Sequence, residues 1–311
     1  MSESQVRATL SDAEIGRVRG LVEAATRHDG VAPLSERSVL WLQNAADGAP
    51  AGSEPGDAAG ARALLRFDDE GRVVGYAHFD PPSEEEPAAG EFFVEPDARR
   101  QGHGLALLKG LRREADGPLR VWAHGDLPAA SALAAAEGLD RVRVLFQLRR
   151  PAAEPLPEVK VADGVRLRTF TVGHDEDAWL RVNARAFAHH PEQGSWTIED
   201  LRLREHEPWF DPEGFFLAEG TQGERNGKVL GFHWTKIHPD GLGEVYVVGV
   251  DPAAQGLGLG RTLTLRGLRH LRERGVPTIL LYVDESNVAA VRMYESLGFG
   301  RYAVDVMFEA P

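Results

Sequence analysis

Apolar and polar residues follow two different periods along this chain, and the period changes at glycines and prolines. Behind Pro277, positions 278–283 form an unbroken apolar run, which predicts a strand buried on both faces. Tyr302, Val304, Val306 and Phe308 alternate with Ala303, Asp305 and Met307, so the C-terminal segment predicts a strand covered on one face. Upstream, a strand ends in Val250-Asp251-Pro252, and Leu263, Leu268 and Leu271 then recur at helical spacing. The order is strand, glycine turn, helix, strand, helix, strand.

That order occurs twice. Val94, Pro96, Arg99, Gly102 and Gly104 recur as Val250, Pro252, Gln255, Gly258 and Gly260, every pair 156 residues apart, and Leu107 maps onto Leu263. Gly138 corresponds to Gly298 at a slightly larger offset. Each copy opens with a helical region and antiparallel strands, so the fold class is α/β of the α+β kind, in two domains. The expected bounds are 1–150 for the first, 151–160 for a linker stiffened by prolines, and 161–311 for the second. Segments 45–61 and 81–90 read as surface loops.

A length of 311 residues suits two cores of this size. With 42% hydrophobic residues, no apolar run fit to span a bilayer and no charged-then-apolar leader, the chain is expected to be soluble, cytoplasmic and free of membrane partners. Zero cysteines exclude disulfides, thiolate metal sites and cysteine nucleophiles. The 48 acidic against 35 basic residues give a net charge of -13, which opposes nucleic-acid binding and draws in a cationic amine. His189, His190 and Glu192 raise the question of a metal, but adjacent histidines on a loop point apart. That stretch reads as a lid, with no metal expected, and the protein as a monomer.

Gly256, Gly258 and Gly260 stand at alternate positions between the strand and the helix. Lacking Cβ atoms, they leave backbone N–H groups unshielded at a helix N-terminus, which attracts phosphate. The turn has neither the Lys-Ser/Thr of a Walker loop nor the last glycine of a dinucleotide fingerprint. Together with Asn287-x-x-Ala290-x-x-x-Tyr294-x-x-x-Gly298-Phe299, it resembles the acetyl-CoA site of the GNAT N-acetyltransferases. The resemblance implies two tandem acyl-CoA N-acyltransferase domains, each a mixed, mostly antiparallel sheet flanked by helices, with acetyl-CoA as cosubstrate.

Acetyl transfer to an amine needs a neutral nucleophile, a polarised thioester carbonyl and protonation of the departing thiolate. Glu244, at the start of the cofactor strand, is the candidate base, and Tyr294 the candidate acid. Backbone N–H groups of Val248, Gly249 and Val250 can polarise the carbonyl if the strand splays from its neighbour. The first copy has Ala88 and Ala134 at the matching positions, with Glu91 three residues on, a spacing that turns a strand residue to the opposite face. The first domain is therefore expected to hold CoA without catalysing.

A narrower resemblance rests on Gly231-Phe232-His233-Trp234-Thr235-Lys236, on residues 243–255, on Leu281-Tyr282-Val283, on residues 186–194 and on Asp29-Gly30-Val31-Ala32-Pro33 ahead of Glu36. It is to the tandem-domain branch that acetylates the cysteinyl amine of a cysteine-glucosamine-inositol conjugate, completing the thiol mycothiol. It runs nearly end to end, densely in the second half. It implies substrate contacts at Glu36, Glu192, Lys236, Glu244 and Tyr282. CoA contacts are implied at Val248, Gly249 and Val250, at Gln255, Gly256, Leu257, Gly258, Leu259, Gly260 and Arg261, and at Asn287, Val288, Ala289, Ala290, Val291 and Arg292. In the first domain they fall on Phe92, Phe93, Val94, Arg99, Arg100, Gln101, Gly102, His103 and Gly104. The chain departs from the common pattern at Gln255, where many such turns begin with Arg, and at His103 inside the first turn. Two other readings keep some of these features: a protein N-terminus or aminoglycoside as acceptor, or an acetyl-CoA sensor without catalysis. The Glu244 and Tyr294 pair counts against the sensor.

Overall fold

The computed structural model describes residues 4–44, 60–83, 86–188 and 191–310. The chain forms two compact units, Met1–Phe146 with Asp284–Ser286 and Ala303–Pro311, and Gln147–Val283 with Asn287–Tyr302. In chain order the first part contains β1 (Gln5–Arg7), α1 (Asp12–Asp29), α2 (Glu36–Asn44), β2 (Arg62–Phe67), β3 (Val73–Asp80), β4 (Ala88–Val94), α3 (His103–Ala115), β5 (Leu119–Ala123), α4 (Pro128–Ala136) and β6 (Asp140–Pro151). Then follow β7 (Val165–Thr169), α5 (Glu176–Ala186), α6 (Pro191–Gly194), α7 (Ile198–Glu205), β8 (Phe215–Gly220), β9 (Val229–Ile237), β10 (Gly243–Val250), α8 (Leu259–Glu273), β11 (Thr278–Asp284), α9 (Val288–Glu295) and β12 (Gly300–Ala310).

Strands of the first unit lie in the order β1-β2-β3-β4-β5-β12, antiparallel except for the parallel pair β4/β5. Strand alternation sends Leu64 to a core shared with Leu107 and Leu111 of α3, and Leu65 to one shared with Val18 and Leu21 of α1. Each buried leucine contributes about 1.5–3 kcal/mol. Helix α1 starts at a capping box in which Ser11 and Glu14 satisfy each other's backbone donors, and Gly30 ends it at a φ of 74°.

The second unit repeats the plan, with order β7-β8-β9-β10-β11 and one parallel pair, β10/β11. Phe215 and Leu217 face α5 while Phe216 and Ala218 face α8, so the first four residues of β8 are apolar on both faces. Fully buried Trp179 centres the α5 side, its ring 5.2 Å from Phe232, 5.7 Å from Trp196 and 5.9 Å from Trp234.

Three expectations change. Strand β6 runs through Pro151 and the Ala152 N–H donates to the Pro277 carbonyl, so the stiff connection starts later than 150. Residues 88–90 belong to β4 rather than to a loop, and residues 45–59 lie outside the described segments. Residues 303–311 lie with the first unit, where Val306 to Ala310 pair antiparallel with Ala123 to Leu119. Positions 305–308 are buried without alternation, because that end of β12 packs Val306 and Phe308 on the α3 side and buries Asp305 beside His124.

That contact completes a buried ion network. His124 Nε2 lies 2.6 Å from a Glu91 oxygen and Nδ1 3.3 Å from an Asp305 oxygen. Burial opposes an imidazolium here, yet the hydrogen bonds and charges of Asp305 and Glu91 push His124 up to about 10. Burial would likewise raise Glu91, but bonds from His124, Ser35 and Ser38 outweigh it and hold the carboxyl at about 2. Stabilisation from His124 is complete below its unfolded value of 6.5 and fades as pH rises towards 10; that from Glu91 is complete above 4.5 and fades towards 2. The stability lost in His124→Gln should therefore be greatest between about pH 4.5 and 6.5 and shrink from pH 7 to 10. Urea titrations over that range check it, and a deficit that grows with pH contradicts it.

Candidate active site

Strand β10 serves two neighbours unequally. Its parallel pairing with β11 consists of Gly243 with Ile279 and Glu244 with Leu280, whereas antiparallel pairing with β9 continues to Val250 opposite Gly231. Beyond Glu244 the strand therefore has a ladder on one side and an open edge towards β11. This is the splay that the carbonyl-polarising role of Val248, Gly249 and Val250 requires. A bulge between Val245 and Val247 breaks the β9 register. It lets Glu244 share a face with Val247, although three residues separate them.

On that face Glu244 is 7% exposed and its carboxylate lies 2.7 Å from His238 Nε2. Lys236, the register partner of Glu244, is 3% exposed, with its ammonium 4.4 Å from the Trp209 ring centre and 5.2 Å from that of Tyr246. Arg204 Nε donates to the Tyr246 hydroxyl at 3.1 Å. Glu244 is thus bonded to His238, and its register partner Lys236 lies against aromatic rings. His238 was not singled out by the sequence, although its distance of two from Lys236 and four from Trp234 places all three on one strand face.

Past Asp251 the chain makes a 3-10 turn, Pro252–Ala254, and then takes left-handed conformations at Gly256 (φ 85°) and Gly258 (φ 71°) before α8 begins. Gln255, Gly256, Gly258 and Arg261 are exposed, Leu257 and Gly260 half-buried and Leu259 buried, so the backbone amides open to solvent at the N-terminus of a 15-residue helix. This fits an anionic phosphate group. Asn287 caps α9, accepting from the Ala290 N–H at 3.1 Å. Val288 and Ala289 are exposed, as is Arg292, with Ala290 and Val291 half-buried. Tyr294 is buried, and burial pushes its hydroxyl up to about 12, so it holds its proton at neutral pH. Tyr282 is 47% exposed and its hydroxyl accepts from Gln147 Nε2 at 2.6 Å. Glu192 falls within α6, His189 and His190 lie outside the described residues, and Glu36 begins α2 in the first unit. Among the described residues no group of His, Asp and Glu is arranged to hold a metal ion, and no helix is long and apolar enough to cross a membrane.

The first unit repeats the turn with different engagements. Pro96–Ala98 forms the 3-10 turn and the left-handed positions are Arg100 (φ 64°) and Gly102 (φ 82°), in register with Gly256 and Gly258. Arg99 is held by both Asp29 oxygens at 2.7 Å and donates to the Val94 carbonyl, while His103 accepts from Arg66 Nε at 3.0 Å. These side chains brace the turn; Gln101 is exposed and Gly104 half-buried. Phe93 and Val94 are buried and Phe92 half-buried, on β4.

Parity misleads at one position here. Glu91 was expected to point away from the face that carries Glu244, but β4 has no bulge and the β10 bulge shifts the count. Glu91 consequently faces α2, bonded to Ser35 and Ser38, and lies opposite His78 as Val247 lies opposite Trp234. The first unit has a carboxylate on that face, enclosed by its own donors. Its pairing with β5 also continues to Glu91 opposite Trp122, two register pairs further than the equivalent pairing in the second unit.

A sheet that opens beside a left-handed turn and a helix N-terminus, built twice in one chain, marks a tandem acyl-CoA N-acyltransferase. The family described as the acetyltransferase (GNAT) family matches residues 39–137 and 179–299. The mycothiol acetyltransferase of Thermomonospora curvata is 62% identical over 97% of this chain and 95% of its own, and that of Thermobispora bispora 52% identical over 98% of each. The chain therefore belongs to the GNAT acetyltransferases and, within them, to the mycothiol acetyltransferase family. The fold matches a GCN5-related N-acetyltransferase of Sphaerobacter thermophilus, with a TM-score of 0.76 at 22% identity covering 99% of this chain and 95% of that one. It also matches a tandem GNAT protein from the clavulanic acid biosynthesis pathway, with a TM-score of 0.72 at 20% identity over 99% and 98%.

Gly258→Ala puts a Cβ on a left-handed residue at a strain of about 1–3 kcal/mol, whereas at Gly260 a Cβ meets nothing nearer than Val250 Cγ2 at 4.0 Å. Gly258→Ala should lower stability by about 1 kcal/mol and raise the KM for acetyl-CoA, with Gly260→Ala folding as stably as the parent. Chemical denaturation and steady-state kinetics on both variants test the contrast, which fails if the two are equally destabilised.

Proposed function

We propose that the second unit transfers the acetyl group of acetyl-CoA to the cysteinyl amine of cysteine-glucosamine-inositol, producing mycothiol, and that the first unit holds CoA without turning it over. The observation that carries this reading is the buried Glu244, hydrogen-bonded to His238 and opposite Lys236 in the β9 register at the point where β10 leaves β11. Relatives at 62% and 52% identity named mycothiol acetyltransferase supply the acceptor. Acetyl-CoA supplies an activated acyl group, its phosphates at the residue 255–261 turn and its arm along Val248, Gly249 and Val250. Glu192, Lys236 and Tyr282 of the second unit contact the polyol amine.

An α-ammonium has a reference pKa near 8, so its deprotonation at pH 7 costs only about 1–1.5 kcal/mol, and a carboxylate suffices as base. Glu244 takes that first proton and His238 keeps the carboxylate oriented. The amine nitrogen then bonds to the carbonyl carbon, backbone N–H groups of β10 receive the charge on oxygen, and the C–S bond breaks with its electron pair leaving on sulfur. Tyr294, with a pKa of about 12, would lose about 5 kcal/mol in handing its proton outright to a thiolate of pKa about 8.5. It therefore acts as a hydrogen-bond donor to the departing sulfur, whose net proton is the second one shed by the nitrogen. In the first unit, Arg100 and Gly102 reproduce the left-handed pair, with Ala134 in place of Tyr294 and Glu91 enclosed.

Glu244→Gln should lower kcat roughly 100-fold and Tyr294→Phe roughly 10- to 100-fold, with acetyl-CoA affinity nearly unchanged. Wild-type kcat in either variant across pH 6 to 9 removes that residue's role. Calorimetry should count two CoA sites, one of which Gly102→Val abolishes while most activity survives; a single site in the parent protein refutes the role of the first unit. The product of enzyme, acetyl-CoA and cysteine-glucosamine-inositol should resist hydroxylamine and retain its free thiol. A hydroxylamine-labile thioester, or fast acetylation of a peptide amine beside no reaction of the conjugate, overturns the acceptor.

A further inference from the structure

The end of β6 lies within the second unit, where Leu148 and Arg150 are buried while Gln147 and Arg149 are half-buried on the opposite face. There the two polar residues enter a chain of hydrogen bonds with a fixed direction. Arg149 Nε lies 3.1 Å from the Gln147 side-chain amide, and because a guanidinium only donates, the atom it meets is the carbonyl Oε1. The amide nitrogen is thereby turned towards the Tyr282 hydroxyl, 2.6 Å away. An amide NH2 has no acceptor to offer, so the phenolic oxygen accepts and its own proton is directed away from Gln147. Arg149 is anchored in turn, its guanidinium carbon 3.5 Å from the Tyr302 ring centre. Tyr282 stands two residues past Leu280, the register partner of Glu244. It therefore rises from the sheet face that carries Glu244, just beyond the point where β10 and β11 part, and is 47% exposed there.

We propose that Gln147 is a positioning residue that makes Tyr282 a hydrogen-bond donor to a hydroxyl or carbonyl oxygen of the polyol amine, leaving the ammonium to Glu244. The proposal rests on the reading that Tyr282 contacts that substrate. A phenol whose proton turns freely can accept from an ammonium as readily as it donates to an oxygen. Once an amide donor engages its oxygen and its proton points outwards, donation is favoured. The two ends of the acceptor are thereby told apart: the carboxylate of Glu244 accepts from the charged nitrogen, and Tyr282 donates to the oxygen-bearing end. An amine that carries hydroxyl or carbonyl oxygens satisfies both, whereas a plain alkylamine leaves Tyr282 without its acceptor. Arg149 sets the direction without touching Tyr282, because it decides which way the Gln147 amide is turned.

The test is steady-state kinetics of the full chain with both substrates varied, on two replacements that keep the length of Gln147. Gln147→Glu still accepts from Arg149 but sets an acceptor against Tyr282, captures the phenolic proton and reverses the chain. Gln147→Met offers no donor and leaves that proton undirected. Gln147→Glu should raise the KM for cysteine-glucosamine-inositol roughly tenfold, as Tyr282→Phe does, and Gln147→Met roughly threefold, with kcat and the KM for acetyl-CoA within about twofold of the parent. In the Tyr282→Phe background Gln147→Glu should add little, because the hydroxyl it acts through is gone. Glutamate is nearly isosteric with glutamine, so a packing role makes it the milder of the two changes. If Tyr282→Phe raises the KM and Gln147→Glu raises it no more than Gln147→Met, the positioning role is wrong while the reading of Tyr282 stands. An equal effect of Gln147→Glu with and without the hydroxyl likewise overturns the role. If Tyr282→Phe leaves the KM unchanged, the reading of Tyr282 fails and takes this route with it. Should Gln147→Glu not fold, Gln147→Met decides in the same pair of backgrounds: equal effects in both overturn the proposal.

Discussion

The backbone of β10 has to satisfy its hydrogen-bonding groups, and it does so on one side only. After Glu244 it keeps β9 and leaves β11, so the remaining donors on that edge await another partner. Everything that distinguishes the second unit follows from where this parting occurs. The open edge precedes a turn whose two left-handed residues expose further amides, and both lead to the N-terminus of α8. In the first unit the parallel pairing runs two register pairs further, to Glu91, and the free edge is correspondingly shorter.

The same register explains two carboxylates with opposite fates. Glu91 is surrounded by Ser35, Ser38 and His124 and has no acceptor capacity left for a ligand. Glu244 has His238 on one oxygen and, through the bulge, a place on the face of Lys236 and the aromatic wall. A carboxylate saturated by internal donors serves as an anchor. Duplication of the fold supplied both positions, and local pairing divided the roles.

Much of this was legible from residue order. The 156-residue repeat and the glycine turn named the fold, because turns with left-handed residues leave strong local marks, whereas the run 278–283 read as buried on both faces although Tyr282 is 47% exposed. Glu244 stood out as a charge at the head of the strand that leads into the glycine turn, and the structure buries it beside His238. The bulge was not: Tyr246 carries no mark of the irregularity it sits in, and an unbroken period of two therefore gave Glu91 the wrong face. Nor was the destination of β12, since alternation records that one side is covered without saying by which unit, and Asp305 read as a solvent position until His124 was found beside it. His238 escaped because a hairpin histidine is common, and only cross-strand register identifies its partner.

The chemistry of the acceptor adds a last constraint. A substrate carrying both an amine and a thiol offers two nucleophiles, and the thiol, with a pKa near 8.5, is the intrinsically more reactive one. Burial of Glu244 cannot discriminate between them by basicity, because a base that accepts an ammonium proton also accepts one from sulfur. Position has to do it: the amine must be held about 3–3.5 Å from the carbonyl carbon while sulfur is kept away. Selectivity between the two nucleophiles is therefore a matter of where the substrate is held and not of basicity. The absence of any cysteine among the 311 residues works in the same direction, because no protein thiol can form a mixed disulfide with substrate or product.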